Sequence, residues 1–356
     1  MITVTKTFFP PIEDYQTQLK RIWDNQWLTN NGKLYQELTK KLREHLEINK
    51  LILMTNGTLP IQIALNAYGK AGEVITTPFS YVATTSSIVW EKCTPVFVDI
   101  HPEYLTIDET KIEAAITKKT TAILATHVYG NPCHVEAIEV IAKKHNLKVI
   151  YDAAHCFGVT YKGQSILNYG DVSTCSFHAT KLFHTGEGGA LFCQDELTYQ
   201  DMWYRHNFGH NGPGMYHGLG INAKMSELQA AMGLSVLPYI KHIIAERKRV
   251  CEYYDEHLNF NSLTKLKLRE GATWNYAYYP VIFESESLLL KAIKDLEIQN
   301  IHPRRYFFPS LEKLPYINSN QCPVADKIAK RVLCLPLYTT LFDEDLNKIV
   351  LIINNG

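Results

Sequence analysis

Residues 51–100 read "LILMTNGTLPIQIALNAYGKAGEVITTPFSYVATTSSIVWEKCTPVFVDI", and short apolar runs alternate there with segments of helical spacing. The predicted order is strand 51–55, helix 58–69, strand 73–78, helix 80–92 and strand 94–100. Strands that alternate with helices of this length form a parallel or mixed sheet covered on both faces. The stretch therefore predicts an α/β fold.

The alternation continues towards residue 240. Further strands are predicted at 120–130, 147–155, 171–177 and 189–193, with a helix at 134–146. We therefore predict a large α/β domain over residues 1–240, of which residues 1–49 form an N-terminal helical segment.

The regular alternation of strands and helices ends near residue 240. The predicted elements there are a long charged amphipathic helix at 239–258, a strand at 274–284, a helix at 287–300 and a last helix at 344–355. Together they predict a small C-terminal α+β domain with an antiparallel sheet, residues 241–356.

Composition excludes several classes of partner. The 356 residues include 36 basic residues (Lys and Arg) and 36 acidic residues (Asp and Glu). The chain therefore has no net charge that would favour binding to nucleic acid or to an anionic membrane. No basic and then apolar leader opens the chain, and no apolar run approaches the roughly 18 residues of a membrane-spanning helix. The eight cysteines contain no C-x-x-C pair. They are typical of reduced thiols in a cytoplasmic protein and not of a zinc site.

Ligands of such sheets bind at the carboxyl ends of the strands, so the residues there are the candidates for function. In "TNGT" (55–58), Gly57 permits a tight turn. The N–H groups of the helix start and the Thr58 hydroxyl suit a phosphate. The alternative is a plain helix cap provided by Asn56 or Thr58.

An acid ends another apolar strand, in "YDAAH" (151–155). Asp152 requires a cationic or N–H partner there, and a protonated ring nitrogen of a cofactor is one candidate. A helix cap or an ordinary ion pair is the alternative. His155 is either a second hydrogen-bonding group or a packed histidine.

Two further strand ends carry an aromatic pair and a lysine. Phe79 and Tyr81 follow a strand in "TPFSYVATT" (77–85), where one ring could stack on a planar ligand or both could pack in the core. Lys181 lies between two strand-like runs, where a lysine considered alone is an ordinary solvated side chain. A lysine near a phosphate site, an acid and an aromatic ring is the arrangement that holds pyridoxal phosphate.

The ordered set of motifs resembles the DegT/DnrJ/EryC1/StrS family of sugar-nucleotide aminotransferases. The resemblance is carried by "WLTNNG" (27–32), "NGT" (56–58), "TPFSYVATT", "PVFVDI" (95–100), "YGNPC" (129–133), "DAAH", "SFHATK" (176–181), "GEGG" (186–189) and "GINAKMSELQAAMG" (220–233). It implies fold type I, with a mixed seven-stranded sheet in the large domain, and pyridoxal 5'-phosphate as the cofactor.

The resemblance also implies a role for each matching residue. Lys181 would bond covalently to the cofactor and move the proton, and Asp152 would pair with the pyridine nitrogen. The other cofactor-binding residues would be Gly57, Thr58 and Ser176 at the phosphate, Tyr81 stacked on the ring, His155 near the phenolic oxygen and Asn222 from the partner subunit. His155 departs from the glutamine that many members have. The Asn222 match implies a homodimer with shared active sites.

A finer match, to members that aminate a 4-keto-6-deoxyhexose, is carried by "VTKTFFPP" (4–11), "WLTNNG" and "RRYFFPSL" (304–311). It implies L-glutamate and a dTDP-ketosugar as substrates, with Arg304, Arg305 and Tyr306 in the sugar-nucleotide site. The two arginines could equally be a solvated pair. Amination at C3, or a non-catalytic interaction protein with this fold, are the alternatives. A nucleotide-binding oxidoreductase is disfavoured because no G-x-G-x-x-G follows the first strand.

Overall fold

A computed structural model describes residues 1–319 and 321–355, and it contains four sheets. The strands are β1 Ile2–Thr3, β2 Leu51–Met54, β3 Glu73–Thr76, β4 Thr94–Phe97, β5 Thr120–Thr126, β6 Lys148–Asp152, β7 Thr160–Tyr161, β8 Gln164–Ser165, β9 Val172–Ser176, β10 Gly189–Cys193, β11 Leu263–Lys265, β12 Ala272–Thr273, β13 Tyr279–Phe283, β14 Ile301–His302 and β15 Val332–Leu335. The α-helices are α1 Ile12–Asn25, α2 Lys33–Leu46, α3 Thr58–Tyr68, α4 Val82–Trp90, α5 Glu109–Ile112, α6 Val135–His145, α7 Glu196–Arg205, α8 Glu227–Val236, α9 Ile240–His257, α10 Glu286–Ile298, α11 Pro323–Ala329 and α12 Asp343–Asn354.

The central sheet has seven strands in the order β2-β10-β9-β6-β5-β3-β4. Strand β10 runs antiparallel to both of its neighbours, and the remaining pairs are parallel. The mixed α/β sheet predicted from the sequence is therefore confirmed. The carboxyl ends of β2, β9, β6, β5 and β3 all lie at one edge, where β10 begins.

Both faces of this sheet are buried, as the apolar strands predicted. In β2, Leu51 and Leu53 face one core, and Ile52 and Met54 face the other, because successive side chains alternate across a strand. Helices α1, α2, α6 and α8 supply the first core, and α3, α4 and α7 supply the second.

A separate core lies after residue 240. Strands β11, β13 and β15 form an antiparallel sheet that packs with α9, α10 and α12. The predicted small α+β unit is therefore present, and α9 begins at residue 240. The strand predicted over 274–284 is partly wrong, since β13 begins only at Tyr279. The domain boundary itself stays a prediction.

One continuous helical run, Glu227–His257, is long and apolar enough to cross a membrane by length and composition alone. The helix predicted at 239–258 covers only the second part of this run. In its most apolar window, 44% of the residues are buried inside the protein, and the run packs against the cores on both sides of residue 240. This burial matches a packed core helix.

Candidate active site

A cavity of about 290 Å³ opens at the carboxyl edge of the central sheet. It gathers most of the residues that the sequence predicted. Those that line it are Gly57, Thr58, Tyr81, Asp152, His155, Ser176, Lys181, Arg304 and Tyr306. Two predicted residues, Asn222 and Arg305, do not line the cavity of their own chain.

Lys181 reaches this cavity from the loop that joins β9 to β10. Its backbone N–H donates to the carbonyl of His178 at 2.8 Å, which folds the loop into a turn. Its Nζ lies 3.4 Å from the hydroxyl of Tyr278, which is 6% exposed. Sequence reasoning missed Tyr278 because it lies inside the aromatic run that was predicted as a strand.

Asp152 ends β6 and is 4% exposed. Its carboxylate accepts hydrogen bonds from the Thr84 hydroxyl at 2.6 Å and from the N–H of Ala154 at 3.1 Å. Burial raises the pKa of Asp152, and these two donors and the charge of Lys181 offset that effect only in part. No Lys, Arg or His of the described residues forms an ion pair with it. A buried acid in this state suits a cationic ring nitrogen.

His155 is a buried, neutral hydrogen-bond donor. Burial, with a smaller effect from the charge of Lys181, lowers the pKa of His155 well below its ordinary value. Its Nδ1 accepts from the backbone N–H of Tyr129 at 3.2 Å, so in the neutral ring the proton lies on Nε2. Phe307 stacks on the ring at 5.8 Å and fixes its orientation. His155 is therefore able to donate one hydrogen bond from Nε2.

The loops before α3 and after β9 approach each other closely. A Cβ added at Gly57 would lie 2.7 Å from the Cβ of Ser176, so only glycine fits there. The Asn56 side chain already accepts from the N–H groups of Thr58 and Leu59, both at 2.9 Å. The helix-cap alternative is thus correct for Asn56. The N–H of Gly57 and the hydroxyls of Thr58 and Ser176 line the same cavity and donate no hydrogen bond within the described residues, so they are candidate anion donors.

The aromatic pair divides between the core and the cavity. Phe79 is fully buried and packs edge-on against Tyr129 and Phe307. Tyr81 precedes α4, lines the cavity and is 57% exposed. Tyr81 is therefore the ring available to stack on a ligand.

The two adjacent arginines have different surroundings. Arg304 lines the cavity, and its guanidinium lies 5.5 Å from the centroid of the Tyr306 ring. Arg305 instead donates to Glu286 at 2.7 Å and to the carbonyl of Lys330 at 3.0 Å. The structure therefore does not bring Arg305 to the cavity, because its charge is engaged by a carboxylate and by carbonyls at the end of α11.

Asn222 lies outside the cavity of its own chain. It is exposed and pairs through its backbone with Asn207 in an isolated bridge. Its contribution to the cavity of a second chain stays a prediction.

Pyridoxal phosphate fits these residues. One cavity is lined by a primary amine, a buried acid without an ion pair among the described residues and a neutral histidine. It also contains a cradle that a Cβ at Gly57 would fill. Among the described residues, no group of three His, Cys, Asp or Glu side chains could hold a metal ion. All eight cysteines are free and buried.

Comparisons with known proteins agree with this geometry. The sequence model of the DegT/DnrJ/EryC1/StrS aminotransferase family matches residues 12–354. A dTDP-4-amino-4,6-dideoxy-D-glucose transaminase from Shigella dysenteriae is 42% identical over 98% of this chain and 97% of its own. A GDP-perosamine synthase from Caulobacter vibrioides is 31% identical over 92% and 91% of the two chains.

The crystal structure of DesI in the presence of its TDP-sugar product superposes with a TM-score of 0.94. It is 30% identical and covers 99% of this chain and 92% of that one. The family match spans nearly the whole chain, and the relatives are aminotransferases that depend on pyridoxal phosphate. The chain therefore belongs to the DegT/DnrJ/EryC1/StrS aminotransferase family and is a pyridoxal phosphate-dependent aminotransferase.

Proposed function

We propose that this enzyme transfers the amino group of L-glutamate to C4 of dTDP-4-dehydro-6-deoxyglucose. The product would be dTDP-4-amino-4,6-dideoxyglucose. The observation that carries the chemistry is that Lys181 and a buried acid, Asp152, line one cavity that also contains anion donors. The name of the Shigella dysenteriae relative, 42% identical over nearly the full chain, supports the choice of sugar.

The cofactor, when bound, supplies an aldehyde that takes up the amino group and a ring that accepts electrons from the substrate carbon. In our proposal Lys181 holds it covalently. Once free, the amine of Lys181 would remove the proton from Cα of glutamate. Tyr278, whose hydroxyl lies 3.4 Å from Nζ, would orient that amine.

The remaining residues would bind and orient the cofactor. Asp152 would keep the ring nitrogen protonated, and Nε2 of His155 would donate to the phenolic oxygen. Tyr81 would cover one face of the ring. Gly57, Thr58 and Ser176 would bind the phosphate, which the close approach of their two loops supports.

We assign the sugar nucleotide to the Arg304 side of the cavity. A guanidinium can meet diphosphate oxygens with paired N–H bonds, and Arg304 has no carboxylate partner among the described residues. Burial raises the pKa of Tyr306 to about 12, so its hydroxyl stays protonated and can donate to the sugar.

We further propose a homodimer in which Asn222 reaches the phosphate in the partner subunit's cavity. Residues 208–221, which precede Asn222, expose a patch of large apolar side chains that a second copy would cover. The patch consists of Phe208, Met215, Tyr216, Leu219 and Ile221, which are 42–73% exposed. Patches of this kind are typical of interaction surfaces.

The cellular setting and the domain division are part of the same proposal. Eight free thiols fit the cytoplasm, where cysteines stay reduced. The aminosugar would serve surface polysaccharide synthesis, such as that of O-antigen in lipopolysaccharide. We divide the chain into domains 1–240 and 241–356, which the separate cores on either side of α9 support.

The direct test incubates the purified enzyme with pyridoxal phosphate, L-glutamate and dTDP-4-dehydro-6-deoxyglucose, and determines the product by NMR. An amine at C4 is expected, and a reaction without glutamate is the control. An amine at C3 would overturn the position. Absence of turnover with this sugar, but turnover with another nucleotide ketosugar, would overturn the substrate.

A further inference from the structure

Three buried hydroxyls form a chain that ends at Asp152. The Thr126 hydroxyl donates to that of Ser80 at 3.0 Å, and the hydroxyls of Ser80 and Thr84 lie 2.7 Å apart. Thr84 then donates to Oδ2 of Asp152 at 2.6 Å. The three hydroxyl residues are 0–2% exposed, so little solvent reaches these bonds. Ser80 and Thr126 also lie in the wall of the candidate cavity.

The chain has a single direction when Asp152 is ionised. A carboxylate only accepts hydrogen bonds, so Thr84 must give its one proton to Asp152. Thr84 can then only accept from Ser80, and Ser80 in turn accepts from Thr126. If Asp152 is protonated, it can donate to Thr84 instead, and Thr84 then gives its proton to Ser80. The bond that Thr84 donates to the carboxylate is charge-assisted, so this arrangement favours the ionised form of Asp152.

We propose that Thr84, supported by Ser80 and Thr126, is a positioning residue that keeps Asp152 ionised and correctly oriented for a protonated ring nitrogen. This inference rests on the proposed role of Asp152 and extends it to residues that do not touch the reacting atoms. Thr84 lies on α4, 68 positions from Asp152, so the bond also fixes α4 against the end of β6.

The other titratable groups around Asp152 do not replace this chain. Lys181 lowers the pKa of Asp152, but it forms no ion pair with it. His155 is neutral because burial lowers its pKa. Burial raises the pKa of the Cys156 and Cys175 thiols, which are therefore uncharged. Burial opposes ionisation of Asp152, so its short-range donors, Thr84 and the N–H of Ala154, must offset the cost.

The neighbouring residue supplies a matched control. Thr85 is also fully buried on α4, but its Oγ1 has no hydrogen-bond partner among the described residues. Thr84→Val and Thr85→Val therefore make the same chemical change at adjacent positions. Only the first removes a donor from Asp152. Thr84→Ser keeps the hydroxyl donor, so it tests whether that donor alone restores the ionisation of Asp152.

The experiment follows the carboxyl and carboxylate infrared bands of Asp152 against pH in full-length protein stripped of cofactor. Asp152→Asn identifies the bands, and circular dichroism confirms the fold. Loss of one bond to a charged group should lower the ionisation constant of Asp152 roughly tenfold or more in Thr84→Val. It should also weaken pyridoxal phosphate binding by a similar factor. Thr84→Ser and Thr85→Val should match the unaltered protein.

Ser80→Ala completes the test, because the hydrogen bonds connect Ser80 to Asp152 only through Thr84. It should lower the ionisation constant in the unaltered protein and have no further effect in Thr84→Val. Equal titrations of Thr84→Val and Thr85→Val would overturn the inference. Normal turnover of Asp152→Asn would instead overturn the proposed role of Asp152, and the titration of the cofactor-free protein would still decide whether Thr84 controls its ionisation.

Discussion

Removing the two adjacent arginines one at a time should have opposite consequences. Arg304 lines the cavity without a carboxylate partner, whereas Arg305 is paired with Glu286 at 2.7 Å. Arg304→Ala should therefore weaken substrate binding and leave stability unchanged. Arg305→Ala should weaken the fold and leave substrate binding unchanged.

The magnitudes follow from the contacts. One charge-assisted contact from Arg304 to a diphosphate contributes about 1.5–3 kcal/mol, which corresponds to roughly a tenfold to hundredfold rise in the ketosugar KM. Arg305→Ala removes the hydrogen bonds of this side chain to Glu286 and to the carbonyls of Ala329 and Lys330. We expect Arg305→Ala to lower the free energy of unfolding by about 1–3 kcal/mol.

The assay measures the two half-reactions separately by stopped-flow absorbance, together with urea unfolding. In Arg304→Ala the glutamate half-reaction, which involves no nucleotide, should change little, and Arg304→Lys should recover part of the loss. Glu286→Gln combined with Arg305→Ala should cost less stability than the sum of the two changes. A raised ketosugar KM in Arg305→Ala, with Arg304→Ala unaffected, would refute the assignment.

Three further predictions concern the cofactor site. Asp152→Asn should lose most activity yet stabilise the cofactor-free protein at neutral pH. Burial raises the pKa of Asp152 in the folded protein, so the free energy of unfolding falls as the pH rises through that pKa, and an amide removes this fall. Thermal unfolding from acidic to neutral pH checks the prediction. Equal melting temperatures of Asp152→Asn and the unaltered protein at neutral pH would contradict it. Gly57→Ala should raise the dissociation constant of pyridoxal phosphate roughly tenfold or more by separating Gly57 from Ser176, as measured by fluorescence titration; unchanged affinity would show that this loop does not bind the phosphate. A mixture of Lys181→Ala and Asn222→Ala subunits should be more active than either parent, because one cavity of the heterodimer is then unaltered at both positions. If subunit exchange is confirmed by mass and no activity is recovered, Asn222 does not contribute to the partner subunit's cavity.

Much of the fold and the position of Asp152 could be predicted because they depend on local sequence. Alternation of apolar strands and helices identified the central sheet, and Asp152 was visible as an acid at the end of an apolar strand. The partner of Asp152 was not visible, because Thr84 lies 68 positions away and its hydroxyl resembles any other in a helix.

The strand predicted over 274–284 failed for a tertiary reason. Trp274 donates to the carbonyl of Tyr129 at 2.8 Å, and Asn275 donates to the carbonyls of His155 and Phe157 at 2.8 and 2.9 Å. These long-range bonds hold the segment against the loop after β6, so it does not pair as a strand. They also bring Tyr278 to Lys181, which no local pattern could have indicated.

The adjacent arginines illustrate a second limit. Sequence alone gives two equal charges in "RRYFFPSL". Only the folded chain shows that Glu286 and the carbonyls at the end of α11 engage Arg305 and leave Arg304 at the cavity. Neighbouring residues of one type can therefore have different functions that depend on partners distant in sequence.

The covalent attachment site of the cofactor tests the central claim most directly. The enzyme loaded with pyridoxal phosphate is reduced with borohydride, digested and analysed by mass spectrometry. Lys148→Ala, which removes an exposed lysine paired with Asp171 away from the cavity, is the control. We predict the cofactor mass on the peptide that contains Lys181, with neither a labelled peptide nor transamination in Lys181→Ala. A label on another lysine, or appreciable turnover of Lys181→Ala, would contradict the account.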